Sequence, residues 1–307
     1  MNDISTGLRN YLPEDIELIS HASHMVFRSP SAKKVYRTDK TELITNSIRI
    51  QDAVRSHRIS WCLGHKNKLA VVAPTTAEPI IVDSHLVSEY PLLSPINSIS
   101  ELNDEQANEL GTTIAAWAST CRDCEHDIDT LRVDEYVMER LGFASLHQNS
   151  KVTSLSNDLK LVVNELSREF SFSALNTKFM GYVHGDMHHG NIVIDDEGRA
   201  RIIDFDSFKF GTPLYDLGSL RYFESAHVED QRVSERIIAS FLEGYDRGRA
   251  VISEEQLIAG EAWKRISSLS RLIVLSDGGE ESLAGIDSAF TNLRNLLKPV
   301  FKPGLRQ

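Results

Sequence analysis

Residues 182–220 constrain this chain more tightly than any other stretch. A short apolar approach over 179–183 is broken by His184-Gly185-Asp186, and a β-prone run resumes at Asn191-Ile192-Val193-Ile194. Asp195-Asp196-Glu197-Gly198 supplies turn residues, and Ala200-Arg201-Ile202-Ile203 reads as the return strand, ending in Asp204-Phe205-Asp206. A hairpin of this length brings its two open ends together, and with them Asp186, Asn191 and Asp204. The competing reading is a turn-rich hairpin whose acids are merely solvated.

The residue types suit phosphoryl transfer. Mg²⁺ prefers hard oxygen ligands such as a carboxylate and an amide carbonyl, and it keeps positions for phosphate and water. Asn191 and Asp204 fit that role. A second carboxylate, Asp186, would stand off the metal to take a hydroxyl proton and aim that oxygen at a γ-phosphoryl group. His184, His188 and His189 beside Asp186 offer a metal cluster as an alternative, but neither an HExxH nor a paired CxxC accompanies them. A brace for the loop is the preferred role of His184.

The block His184-Gly185-Asp186-Met187-His188-His189-Gly190-Asn191, then Ile203-Asp204-Phe205-Asp206, then Pro213-Leu214-Tyr215-Asp216-Leu217, resembles the aminoglycoside phosphotransferase and choline kinase family. The resemblance implies an α+β, bilobal, protein-kinase-like fold with a small β-rich N-lobe and a larger, mainly helical C-lobe. It implies Asp186 as catalytic base, Asn191 and Asp204 as Mg²⁺ ligands, and Asp216 as a support for the catalytic loop. It places His188 where the family often has His, near the phosphates. Thr212 departs from the pattern, since family members often carry Asp there.

Composition narrows the class. With 307 residues, 41% hydrophobic and 25% charged, the chain is an ordinary globular one of one large core or two lobes. A net charge of -11 argues against a nucleic-acid-coating surface. No apolar run reaches membrane-span length and the start lacks a signal-peptide pattern, so no membrane role and a cytoplasmic location are expected. Three cysteines are too few for a disulfide framework; Cys121, Cys124 and His126 make a weak metal motif and read better as reduced thiols. Acids crowd 123–139 with Arg132 alone opposing them, which is a solvated face or a wall that attracts a cationic acceptor.

The first part of the chain reads as strands at 16–19, 25–28 and 34–37. Lys34-Val35-Tyr36-Arg37 resembles the third-strand ending of the family, which makes Lys34 the expected nucleotide-phosphate contact. Alternation allows only one of Lys33 and Lys34 to face the cleft. The turn over 20–24 has no glycine, so the Gly-rich loop of protein kinases is missing. A helix over 41–57 offers Glu42, or else Asp52, as partner for Lys34. Strands follow at 69–73, 79–83 and 85–90, the last entering an interlobe hinge in which Ser88, Glu89 and Tyr90 mark the adenine site. Amphipathic helices then dominate, with Asn103-Asp104-Glu105-Gln106 as a cap and stripes through Leu110 and Ile114, Leu159 and Leu166, Ile237 and Phe241, Ile258 and Ile266, and Leu283 and Phe290. Trp263 and Tyr245 stand on such stripes as packing residues.

The expectation is a nucleotide-binding lobe over 1–89 and a catalytic and acceptor-binding lobe over 90–307. Its activity would be transfer of the γ-phosphoryl group of ATP or GTP, with Mg²⁺, to a hydroxyl of a small molecule, with cationic acceptors such as aminoglycosides, amino sugars or amino alcohols as candidates. His184, His188, Asp206 and Asp216 support the site. The alternative is a regulatory protein of the same fold that binds nucleotide with little turnover. A protein kinase is disfavoured because the stretch between Asp206 and Asp216 is too short for an activation loop.

Overall fold

The computed structural model describes residues 5–21, 25–40, 47–83, 85–120, 133–169, 181–227, 231–246, 252–276 and 278–298. Its first part is an antiparallel sheet in the order β1-β2-β3-β5-β4, formed by β1 (Glu17–His21), β2 (Met25–Ser29), β3 (Lys34–Lys40), β4 (Ile80–Val82) and β5 (His85–Pro91). One face of that sheet carries Phe27, Tyr36 and Val87, which pack with Leu8 and Leu12 of and beside α1 (Thr6–Tyr11). The other face meets α2 (Ser47–Trp61), where His57 Nδ1 lies 2.8 Å from Ser88 Oγ. Alternation along β3 therefore sorts its side chains, with Lys34, Tyr36 and Thr38 toward α1 and Val35, Arg37 and Asp39 toward α2.

The predicted strand at 69–73 is reduced to a single parallel bridge between Val71 and Ile202. Its backbone instead splices the two parts together, as Ile202 donates to the Ala70 carbonyl and Val72 to the Ile202 carbonyl, both at 2.9 Å. Cys62, just after α2, is disulfide-bonded, although the count of three cysteines gave no expectation of a disulfide framework.

The larger part is helical: α3 (Asp104–Thr120), α4 (Val133–Ala144), α5 (Ser150–Glu169), α6 (Leu214–His227), α7 (Gln231–Asp246), α8 (Glu254–Leu275) and α9 (Glu280–Leu297). The predicted cap on α3 is present as a reciprocal pair, Gln106 N–H to Asn103 Oδ1 and Asn103 N–H to Gln106 Oε1, each 2.9 Å. Between α5 and α6 lie β7 (Gly181–Val183), β8 (Ile192–Ile194), β9 (Ala200–Ile202) and β10 (Lys209–Gly211). β8 and β9 form the predicted hairpin, edged by β6 (Ser94–Pro95), and β7 pairs with β10. Two cores hold this part. One joins Leu110, Ile114 and Trp117 to Met187, Ile192 and Phe205 under the hairpin, and the other joins Leu141, Leu166, Trp263, Ile266 and Phe290. Tyr245 and Trp263 are buried in them, as packing residues. No helix among the described residues is long and apolar enough to cross a membrane.

Candidate active site

The loop from β7 to β8 is held from below by Asp216, in the first turn of α6. Its carboxylate accepts the His184 N–H at 2.7 Å on Oδ2 and the Gly185 N–H at 2.9 Å on Oδ1. Gly185 takes φ +83°, which lets the chain turn directly above that carboxylate. Burial raises the pKa of Asp216 above the ordinary carboxyl range, so the two N–H donors are its essential compensation. Thr212, the departure from the family pattern, is buried and supports the start of α6: its hydroxyl accepts from Leu214 N–H at 3.4 Å and its carbonyl from Tyr215 N–H at 2.9 Å.

His184 is fully buried between Trp117 and Phe205. Its Nδ1 faces the Asp186 backbone N–H at 3.3 Å and its Nε2 the Ile203 carbonyl at 2.8 Å. The first partner can only donate and the second only accept, so the ring is neutral with its proton on Nε2. Burial, which lowers its pKa, favours the same form. His184 thus ties the catalytic loop to the strand that delivers Asp204.

Asp186 stands at the top of the loop with its side chain 40% exposed. Burial alone would raise its carboxyl, but His188 and the Lys264 ammonium outweigh that and hold it well below the usual range, so it is a carboxylate at neutral pH. Oδ1 receives Lys264 Nζ at 2.6 Å, and His188 Nε2 lies 3.7 Å from Oδ2. His188 is oriented by its other nitrogen, which accepts Gly190 N–H at 3.0 Å at the start of the single turn His189–Asn191.

Asn191 is buried, and its Nδ2 donates to the Asp186 carbonyl at 2.8 Å, which fixes the amide and makes Oδ1 the atom that could ligate a metal. Its own carbonyl accepts Ile203 N–H at 3.0 Å, so Asn191 and Asp204 stand at adjacent strand ends. Asp204 has φ +66° and ψ +73°, a left-handed conformation that costs a non-glycine residue about 1–3 kcal/mol and collects at functional sites. One carboxylate and one amide oxygen fixed in this way fit Mg²⁺, which is typically bound through one or two carboxylates with phosphate and water completing the shell.

From the sheet, Arg37 reaches this centre. It grips Asp206 with two bonds, 2.6 and 2.5 Å, and lies 3.5 Å from Asp204. Burial would lower its pKa, but Asp206, Asp39 and Asp204 overcome this and the guanidinium stays charged. Sequence reasoning passed over Arg37. Lys34 is not brought to the centre: an odd separation of three residues puts it on the opposite face, where it bonds Glu89 Oε2 at 2.6 Å and Glu89 also accepts the Tyr11 hydroxyl. Lys33 lies in the preceding turn with φ +50°. The signal that separates these residues is Tyr36, an aromatic whose place in the core fixes which parity faces inward.

Ser88 lies opposite Arg37 on β5 and is taken up by His57, whose Nε2 faces the Thr76 carbonyl at 2.9 Å. Tyr90 shares that face, and burial pushes its hydroxyl up to about 12. The Glu89 carbonyl accepts Thr75 N–H at 2.8 Å. Glu42 and the side chain of Asp52 lie outside the described residues, as do Cys121, Cys124, His126 and most of the acidic stretch over 123–139. Of the acids there, Glu135 and Glu139 are described, and both are exposed.

Lys264 was the second residue that sequence reasoning missed. It stands 78 positions from Asp186 and reaches it because α6 and α8 cross at backbone contact: a Cβ on Gly218 would strike the backbone of Gly260 and Glu261, and one on Gly260 the Leu214 carbonyl. One turn beyond that crossing, the Lys264 side chain is only 8% exposed. Glu261, inside an otherwise apolar run from Leu257 to Trp263, and Lys264, directly after it, were the available signal.

The sequence profile of the phosphotransferase enzyme family matches residues 43–251, more than half of the chain. A comparison with curated protein sequences gives no match. Among solved structures, the chain is similar to an amicoumacin kinase in complex with AMP-PNP, Ca²⁺ and its ligand (TM-score 0.63, 15% identity, 92% of this chain and 89% of that one). It is also similar to a choline/ethanolamine kinase family protein from Mesorhizobium loti (TM-score 0.62, 17% identity, 97% and 92%). A microcompartment-associated aminopropanol kinase gives TM-score 0.62 at 17% identity, with 95% and 94% covered. These likenesses establish the bilobal kinase-like fold. With the profile match spanning the catalytic loop, the hairpin and α6, the chain belongs to the phosphotransferase enzyme family.

Proposed function

We propose that the protein is a small-molecule kinase that transfers the γ-phosphoryl group of ATP or GTP to a hydroxyl. The observation that carries this reading is the hydrogen-bonded chain from Asp186 through Asn191 to Ile203, the neighbour of Asp204, which joins the segments that carry the proposed base and the two proposed oxygen ligands. Asp186 accepts the acceptor proton as the new O–P bond forms and the nucleoside diphosphate leaves. Asn191 and Asp204 would hold Mg²⁺, which neutralises phosphate charge when bound. The nucleotide-bound amicoumacin kinase, similar in fold, supports the same use of nucleotide and divalent metal.

Residues 1–89 act as the nucleotide-binding lobe, with adenine beside Ser88, Glu89 and Tyr90, and residues 90–307 as the catalytic and acceptor-binding lobe. Arg37, rather than Lys34, steadies the phosphates, with Asp206 holding it in place. His184 and Asp216 position the loop, and His188 orients Asp186.

The test is ATP and GTP turnover with Mg²⁺ against aminoglycosides, amino sugars, choline-like amines and neutral sugars, with Asp186→Ala as control. Turnover lost by at least about 100-fold in the variant, with nucleotide binding intact, is the expected result. Nucleotide binding without turnover on any acceptor would favour a regulatory protein of the same fold.

A further inference from the structure

We infer that Lys264 sets the acceptor class: the group beside the reacting hydroxyl is an oxygen, from a neighbouring hydroxyl or a carboxylate, and not an ammonium. The inference rests on the kinase reading above and concerns the same site.

A hydroxyl held by Asp186 lies one hydrogen bond from that carboxylate, and Lys264 Nζ lies 2.6 Å from its Oδ1. The acceptor oxygen therefore sits within about 6 Å of a fixed cation, the range in which a second positive charge is disfavoured. The ammonium has three donors, and among the described residues Asp186 is its one hydrogen-bond partner. A nearly buried ammonium with donors left over is matched by an oxygen of the substrate, not by another donor.

The surroundings point the same way. Aromatic faces are the usual receptor for an ammonium ligand. Here Lys264 already lies over Phe223 at 5.1 Å and Tyr215 at 5.9 Å, and Arg265 over Tyr222 at 4.9 Å. The nearby carboxylates are matched as well. Buried Glu261 holds Arg265 at 2.6 Å and Arg221 at 3.2 Å, and Glu254 holds Arg221 at 2.5 Å. Among the described residues on this side, the aromatic rings and carboxylates just named each already carry a cation, though an amine farther from the reacting hydroxyl meets no such obstacle.

The experiment compares kcat/KM for glycerol with 3-amino-1,2-propanediol, glucose with glucosamine, and glycerate with ethanolamine and choline, locating the phosphorylated hydroxyl by NMR. Wild type should prefer the oxygen-bearing member of each productive set by about tenfold or more. Lys264→Met should bring the two members within about threefold, whereas Lys264→Arg, which keeps the charge, should keep the preference. Glycerate against glycerol separates a carboxylate from a hydroxyl as the favoured neighbour. Wild-type preference for the ammonium-bearing members would overturn the inference and leave the kinase reading standing. So would an equal loss on both members in Lys264→Met, the mark of a merely structural residue. Turnover of no acceptor would remove the kinase reading itself and this inference with it.

Discussion

Arg37 and Asp206 meet through two charge-assisted bonds, 2.6 and 2.5 Å, that run from the sheet to the segment following the catalytic hairpin. Only 12% of the Arg37 side chain is exposed, and Asp204 lies 3.5 Å away. A guanidinium held beside the metal-ligand candidate is placed to receive nucleotide phosphates. Arg37→Ala should weaken Mg²⁺-nucleotide binding by about 10–100-fold, the range for losing a charged hydrogen bond. Lys34→Ala, on the far face, should change it by less than about threefold. Calorimetric titration of both variants checks this, and the opposite ranking would restore Lys34 as the phosphate contact.

The far face makes its own prediction. Burial would raise the Glu89 carboxyl, but its bonds from Lys34 and Tyr11 outweigh that and hold it below its ordinary value. A carboxylate lowered in the folded state adds stability above its unfolded pKa of about 4.3, and that contribution fades as pH falls through the lower folded value. Glu89→Gln should therefore cost about 1–2 kcal/mol at pH 7 and progressively less below pH 4. Urea unfolding of both proteins at several pH values measures the difference, and a gap that grows on acidification would contradict the assignment.

The crossing of α6 and α8 is the third point of test. Gly260→Ala would set a methyl group against the Leu214 backbone and push α8, with Lys264, away from Asp186. A loss of about 1–3 kcal/mol in stability is expected, together with lower turnover. Gly285→Ala on α9 is the control, because nothing lies within 4 Å of the new Cβ; a helical Gly→Ala there should stabilise by about 0.5–1 kcal/mol. Equal effects at the two sites would show that the crossing is not tight.

The parts of the site legible in the sequence are those whose chemistry is contiguous. His184, Asp186 and Asn191 lie within one turn and its flanks, and the hairpin that returns to Asp204 is short, so turn residues and strand alternation suffice to bring them together. The helices beyond Asp216 were legible because each buries one periodic stripe. Lys34 shows the limit of a motif on a strand: a run of four residues fixes neither which parity faces the cleft nor where the strand begins, and Tyr36 and α1 decide both. Lys264 was hidden for a different reason. Its meeting with Asp186 depends on how closely two distant helices approach, which Gly218 and Gly260 set through packing that no local pattern announces. The strand expected at 69–73 became a bridge because its backbone partners belong to β9 rather than to the sheet.

In the proposed kinase, Asn191 and Asp204 present a divalent metal to nucleotide phosphates beside Asp186. Calorimetric titration of AMP-PNP, with and without Mg²⁺, into wild type and Asp204→Ala tests it without knowledge of the acceptor. Mg²⁺-dependent binding to the wild type and its loss in Asp204→Ala are expected, with melting temperature little changed since the Asp204 side chain is 38% exposed and its removal opens no core. Unchanged, Mg²⁺-dependent affinity in the variant would contradict this role.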